Sequence, residues 1–144
     1  MIESDTIKLL RECDAGIKMG TASIRDVEDH IKNEEMKKYL LASKDEHEKL
    51  GREMETLLDK YRDDGKEPNP IAKGMSYMKT NMKLMMEDTD STIADLMIDG
   101  CNMGVKSLNR YLNEYKAADE VSKDMAKRLI NLEEKMSIEL RKYL

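Results

Sequence analysis

Apolar residues recur every three or four positions along most of the chain. One stripe begins at Ile7, just after the N-cap residues Ser4 and Asp5, and continues to Ile31. Asn33 begins a second stripe, which ends before the acidic pair at positions 63–64. This spacing places the apolar side chains on one face of a helix. The pattern therefore predicts a first helical hairpin over about residues 4–64.

A linker with two prolines separates this hairpin from the rest of the chain. Pro68 and Pro70 interrupt the helical pattern, because proline disfavours helix in the residue before it, while Pro70 itself suits the first turn of a new helix. A short connector helix is predicted over about residues 70–87, and the polar segment 88–91 caps the next helix. Further stripes predict a second hairpin over about residues 90–144, whose last helix starts near Asp119.

An internal repeat relates the two hairpins. Gly16 and Gly20 in the first helix recur as Gly100 and Gly104, at a constant offset of 84 residues. Two similar hairpins joined by a connector that runs back along their length have the topology of ferritin-like proteins. The predicted fold is therefore all-α: one domain over residues 1–144, a ferritin-like antiparallel four-helix bundle with a short connecting helix.

The first helix also carries a recognisable segment, ECDAG at positions 12–16, followed by Met19 and Gly20. With the order of two long helices, a short linking helix and two more long helices, it resembles an uncharacterised bacterial family of ferritin-like four-helix-bundle proteins, a domain of unknown function. The resemblance covers nearly the whole chain. It implies a ferritin-like fold and no settled activity.

Composition and charge narrow the classes of partner. The chain has 13 Met and no Phe or Trp, which favours helix over strand. Its net charge is -5 and the two signs are interleaved, so we expect neither nucleic acid nor an anionic membrane surface as a partner. Residues 1–5 are acidic without an apolar signal core, which predicts a cytoplasmic protein. Cys13 and Cys101 are interpreted as reduced, packed thiols.

The residues do not supply the usual ligands of a di-iron site. Ferritin-like sites combine a Glu from each of two helices with a Glu-x-x-His from each of the other two. The only histidines are His30 and His47, and neither has Glu three positions earlier. His47 lies on the inner stripe and is the one weak candidate for a metal ligand. The favoured interpretation is a polar core residue, hydrogen-bonded to Ser43 or to a neighbouring helix. The acid pair at 133–134 is interpreted as solvent-facing.

The four glycines of the repeat stand inside predicted helices, where each costs about 1 kcal/mol relative to Ala. Small residues four apart leave a flat strip on which another helix can lie closely. Gly16 and Gly20 are therefore predicted to pack against their repeat partners Gly100 and Gly104.

The connector helix is rich in methionine. Three interpretations of its stripe are a core or lid helix, a surface for self-association or for a protein partner, and a soft-metal site such as Cu(I). The first is favoured, and the second motivates a homodimer hypothesis. The stripe consists of Met75, Met78, Met82 and Met85.

Two hypotheses about function follow. The first is a metal-free ferritin-like bundle that acts as a protein-interaction or structural module, with no catalytic residues and no cofactor. The alternative is an iron- or manganese-dependent oxidoreductase or iron-handling protein, with an atypical site formed by His47 and acids such as Glu28 or Glu46. The first is favoured, because one inward histidine without Glu-x-x-His makes a poor ligand set.

Overall fold

Five α-helices make up most of the protein in a computed structural model, which describes residues 2–144. No strand occurs within that range, so the chain is all-α as predicted. A single 3-10 turn, Leu140–Tyr143, follows the last helix. The helices are α1 (Ile2–Glu28), α2 (Glu34–Lys60), α3 (Pro70–Met86), α4 (Asp90–Glu114) and α5 (Glu120–Glu139).

Most helices begin where a local side chain satisfies the first backbone N–H groups. The side chains of Asn33, Asn69, Thr89 and Asp119 accept hydrogen bonds from N–H groups two or three residues further on. Such N-caps compensate donors that have no partner inside the helix. These starts lie within a residue or two of the predicted ones. The prediction for α1 is wrong, because the helix already runs from Ile2 and includes the expected N-cap residues.

The four long helices pack side by side. Helix α1 contacts α2, α4 and α5, and α5 also contacts α2 and α4. Asp90, at the start of α4, accepts hydrogen bonds from the backbone N–H groups of Lys32 and Asn33, at 2.8 and 2.9 Å. Helix α4 therefore begins beside the α1–α2 turn and runs parallel to α2. The connection from α2 to α4 consequently crosses the length of the molecule.

Buried apolar side chains form two clusters, one toward each end of the packed helices. One contains Leu10, Met54 and Leu129, and the other contains Leu40 and Met136. Buried polar side chains also occur on these helices, so the interior is not apolar along its whole length.

Helix α3 is attached differently from the other four. It lies against α1 and α4, and Leu84 is its one buried residue. Its polar Ser76, Thr80 and Asn81 are only partly exposed. In the part of the chain that the structure describes, no helix is both long and apolar enough to cross a membrane.

Candidate functional site

A histidine lies at the centre of the packed helices. His47 on α2 is 0% exposed, and its Nδ1 lies 2.8 Å from the backbone carbonyl oxygen of Ser43. Its Nε2 lies 3.3 Å from Oε1 of Glu133 on α5. Both ring nitrogens therefore have partners, which confirms the favoured interpretation of His47 as a hydrogen-bonded core residue.

The partners of His47 determine where its protons lie. A carbonyl oxygen only accepts hydrogen bonds, so Nδ1 carries a proton and donates it to Ser43. When the ring is protonated, Nε2 also carries a proton and donates it to the Glu133 carboxylate.

The position of Glu133 contradicts the solvent-facing interpretation of the acid pair at 133–134. Glu133 is 8% exposed and faces His47, while Glu134 is exposed. The signal was present in the spacing, because position 133 is four residues after Leu129 and three before Met136. Both of these apolar residues are fully or almost fully buried, so the position lies on the inner face of α5.

Two glycines leave the room that these polar side chains occupy. A Cβ atom at Gly20 would lie 2.9 Å from the ring of His47, and one at Gly104 would lie 3.6 Å from the carboxyl carbon of Glu133. Gly20, His47, Gly104 and Glu133 come from α1, α2, α4 and α5, one from each long helix. We call these four residues the central polar layer.

The predicted packing of these glycines against their repeat partners is not observed. A Cβ atom at Gly16 would lie 3.5 Å from a methyl group of Leu129, and Gly20 and Gly104 accommodate side chains of α2 and α5. Their nearest neighbours are thus not the repeat-related glycines. The prediction for Gly100 is wrong, because it is exposed and a Cβ atom there would meet nothing within 4 Å.

Burial and charge act on the ionisable groups of this region. Burial is the largest single influence on His47 and lowers its pKa, but Glu133 and the Ser43 carbonyl together raise that pKa above its ordinary value. Burial, then the negative charge of Glu133, raises the pKa of the Cys101 thiol far above its usual range. Cys101 and the similarly buried Cys13 are free thiols, and burial raises the pKa of Cys13 to about 12. Neither thiol is a reactive thiolate near neutral pH.

The acids suggested for an atypical metal site do not meet His47. The carboxylate of Glu28 is paired with Lys44 at 2.8 Å, and Glu46 is exposed. Among residues 2–144, no group of three or more His, Cys, Asp or Glu side chains is arranged to hold a metal ion. The carboxylate that contacts His47 is that of Glu133, which the sequence analysis did not suggest as its partner.

The second notable region is the stripe on α3. The four methionines of the stripe and the neighbouring Ile71 are 62–87% exposed, so the interpretation of the methionines as core is wrong. The polar side of α3 faces α1 and α4, and the apolar side faces away from the protein. The α3 apolar face consists of Ile71, Met75, Met78, Met82 and Met85.

A cleft of about 310 Å³ lies at the surface where α1 meets the turn after α2. Arg11 and Lys66 line it, and each already forms an ion pair, Arg11 with Asp63 and Lys66 with Glu12. These two ion pairs join α1 to the chain segment that follows α2.

Comparison of the chain with family models, with curated proteins and with solved structures finds no match. The fold and the two regions above define an all-α helical protein with a buried histidine–carboxylate contact and an outward-facing apolar helix. Conclusions about its function therefore rest on these residues.

Proposed function

We propose that the protein is a metal-free, ferritin-like helical bundle that acts as a protein-interaction module through the α3 apolar face. The ferritin-like arrangement is supported by two antiparallel hairpins joined by a crossover that makes α2 and α4 parallel. The resemblance of residues 12–20 to the uncharacterised bacterial family agrees with this proposal.

The observation that carries the proposal is the orientation of α3. An amphipathic helix that served only the stability of its own bundle would turn its apolar side inward. Helix α3 does the reverse, since all five side chains of its apolar face are at least 62% exposed. Contiguous exposed apolar surface of this kind marks interaction sites in folded proteins. Methionine suits such a surface, because its flexible thioether side chain adapts to a partner.

The central polar layer supports a structural role at the same time. His47 is fully buried and its ring nitrogens are already engaged, so no group is left open toward a substrate. A buried polar contact between two helices favours the one alignment in which both groups find a partner. We therefore assign His47 and Glu133 to the alignment of α2 with α5.

Site-specific photo-crosslinking tests this function. A photoreactive amino acid is placed at position 78, on the α3 apolar face, and at position 55, which is exposed on α2 as a control. In cells that produce the protein, we expect a specific adduct from position 78 and none from position 55. The combined substitutions Met75→Ser and Met82→Ser should abolish that adduct. Equal labelling at both positions, or no adduct at position 78, would contradict the proposal.

A further inference from the structure

We propose that the α3 apolar face binds the same face of a second copy of the protein, with the two α3 helices antiparallel about a two-fold axis. This inference rests on the proposed function, because it names the partner of the interaction surface. Most homo-oligomers have closed symmetry, and the two-fold dimer is the commonest kind.

The spacing of the apolar face matches a helix as its partner. Ile71, Met75, Met78, Met82 and Met85 follow one another at intervals of four, three, four and three residues. This is the period of 3.5 residues of a coiled-coil seam, in which every apolar side chain inserts between residues of one facing helix. The seam points away from α1 and α4, so a second helix can approach it without displacing the bundle.

The residues that flank the seam favour an identical helix over an acidic or basic one. In coiled coils, charges at these flanking positions select the partner. Lys79 is the only charged residue among the five flanking positions of α3, so little favours a highly charged partner helix. The flanking residues are Ala72, Lys79 and Met86 on one side and Gly74 and Asn81 on the other.

The remaining lysines of α3 are directed toward the protein itself. Lys83 lies 3.8 Å from the carboxylate of Asp95 on α4. Lys73 lies near Asp26 on α1: burial raises the pKa of Asp26, and the charge of Lys73 lowers it in part. A helix that binds an anionic lipid surface presents its lysines beside its apolar face. The placement of these lysines therefore favours a helix over a membrane.

One antiparallel register pairs four of the five residues of the apolar face and leaves Met85 beyond the paired layers. When Met75 of one copy faces Met78 of the other, Ile71 faces Met82, and four mixed layers form about the two-fold axis. Lys79 of each copy then lies beside Ala72 of the other. Shifting the register by seven residues toward the C-terminus would bring the two Lys79 side chains together, and like charges at such positions are destabilising.

The contact between two α3 helices is small for a specific protein–protein interface. Helix α3 has 17 residues and is therefore about 25 Å long. One such helix from each copy makes an interface at the small end of the range, below about 1,200 Å² in total. We therefore expect a reversible dimer with a dissociation constant on the order of micromolar.

Sedimentation velocity of the purified protein, from about 1 to about 300 μM, tests the dimer. We expect the wild-type protein to pass from monomer to dimer over this range. Met78→Glu should remain monomeric, because it places a charge within the seam. Met103→Glu is the matched control, since Met103 is 70% exposed on α4, and it should dimerise like the wild type. Equal far-UV circular dichroism of the variants establishes that both are folded.

Disulfide trapping tests the orientation and the register. Met75→Cys and Met78→Cys are prepared separately, mixed and oxidised; Cys13 and Cys101 are buried and take no part. The proposed register predicts that the crosslinked product combines one chain of each variant. Crosslinks within each variant alone would indicate parallel helices, and a crosslinked Lys79→Cys homodimer would indicate the shifted register. Either result overturns the proposed arrangement.

The outcomes separate the two proposals. A wild-type protein that stays monomeric at about 300 μM overturns the pairing of two copies. If position 78 is then still crosslinked to another protein in cells, and the Met75→Ser and Met82→Ser changes abolish that adduct, the interaction function stands with a different partner. Absence of both the dimer and the adduct overturns the function as well.

Discussion

At the scale of single residues, the centre of the protein depends on the fit between a glycine and an aromatic ring. The ring of His47 occupies the space beside Gly20, and it is held at Nδ1 by the Ser43 carbonyl and at Nε2 by Glu133. A ring fixed at both ends has little freedom to move aside. Glycine is therefore required at position 20 because the neighbouring ring leaves no room for a side chain. The backbone there is helical and imposes no such requirement.

Substitution of Gly20 should be costly, although alanine favours helix. Gly20→Ala places a methyl group 2.9 Å from the fixed ring of His47, and overpacking of this kind costs about 1–3 kcal/mol. We expect this cost to exceed the gain in helix propensity of about 1 kcal/mol. Chemical denaturation should show a lower free energy of unfolding for Gly20→Ala than for the wild type.

Gly100, an exposed glycine inside α4, provides the control. Gly100→Ala meets no atom within 4 Å, so it should raise the free energy of unfolding by up to about 1 kcal/mol through helix propensity alone. If both variants were stabilised equally, the fit between Gly20 and His47 would have no energetic consequence, and its assignment to the central polar layer would be wrong.

The contact between His47 and Glu133 should make stability depend on pH. Because the folded-state pKa of His47 is raised, the folded protein binds this proton more tightly than the unfolded chain does. The resulting stabilisation is complete below the unfolded pKa of about 6.5 and is lost as the pH rises through the higher folded-state pKa. Denaturation of the wild type and His47→Gln between about pH 6 and 9 should show the stability difference shrinking with rising pH.

The other histidine serves as the control for this measurement. His30 lies at the surface near Asp88, so His30→Gln leaves the buried contact intact. The difference in the free energy of unfolding between His30→Gln and His47→Gln should therefore shrink with rising pH, as it does for the wild type. A difference that stays constant or grows with rising pH would show that His47 does not hold its proton more tightly in the folded state.

At the scale of helices, α3 is the element with the least internal support. Only Leu84 anchors it in an apolar cluster, and Gly74 in its interior has no atom near its would-be Cβ position. Elements with few buried contacts open locally at lower free energy than the core helices. The low local stability expected for α3 agrees with a surface that gains further contacts when a partner binds.

Hydrogen exchange should detect this difference. We expect the amides of α3 to exchange faster than those in the middle of α2, which carries seven buried residues. Gly74→Ala should slow exchange in α3 by up to about fivefold, since it adds about 1 kcal/mol of helix propensity without touching another side chain. The measurement is made at low protein concentration, where the monomer dominates. Unchanged protection of α3 in Gly74→Ala would mean that its opening does not involve unfolding of the helix.

At the scale of the whole molecule, each hairpin accepts hydrogen bonds from the turn of the other. Asp90 at the start of α4 binds two N–H groups in the α1–α2 turn. Near the opposite end, Asp5 and Thr6 of α1 accept hydrogen bonds from backbone N–H groups in the α4–α5 turn, at 3.0 and 2.8 Å. These ties fix how the two hairpins align along their length.

Removal of the Asp90 carboxylate should lower the free energy of unfolding of the whole protein. Asp90→Ala leaves two N–H groups without their carboxylate acceptor, and hydrogen bonds to charged groups contribute about 1.5–3 kcal/mol. Because water can partly replace the acceptor at this exposed turn, we expect a loss near 1 kcal/mol in thermal or chemical unfolding. Asp99→Ala, at an exposed position on the same helix, should change stability by less than about 0.5 kcal/mol.

Features that depend on neighbours in the chain could be predicted from the sequence. The periodic apolar stripes, Asn33, Pro70 and Asp119 act within one or two helical turns, so the all-α class and most helix starts followed from them. The start of α1 was mispredicted because Asp5 is used elsewhere: its carboxylate binds the N–H of Ala117, 112 residues away. A capping residue does not reveal from sequence which helix it serves.

Other features were decided only by the packing of helices that are distant in sequence. Glu133 is buried because His47, 86 residues earlier, offers it a hydrogen-bond partner. Gly16 packs against Leu129 whereas Gly100 faces solvent, although the two are equivalent in the sequence repeat. An apolar stripe indicates only that a helix has a face to bury, and the tertiary structure decided that the stripe of α3 points away from its own bundle. By itself the sequence determined the helices and their apolar faces, because these follow from local periodicity, whereas the contact each face makes depends on which surfaces the fold brings together.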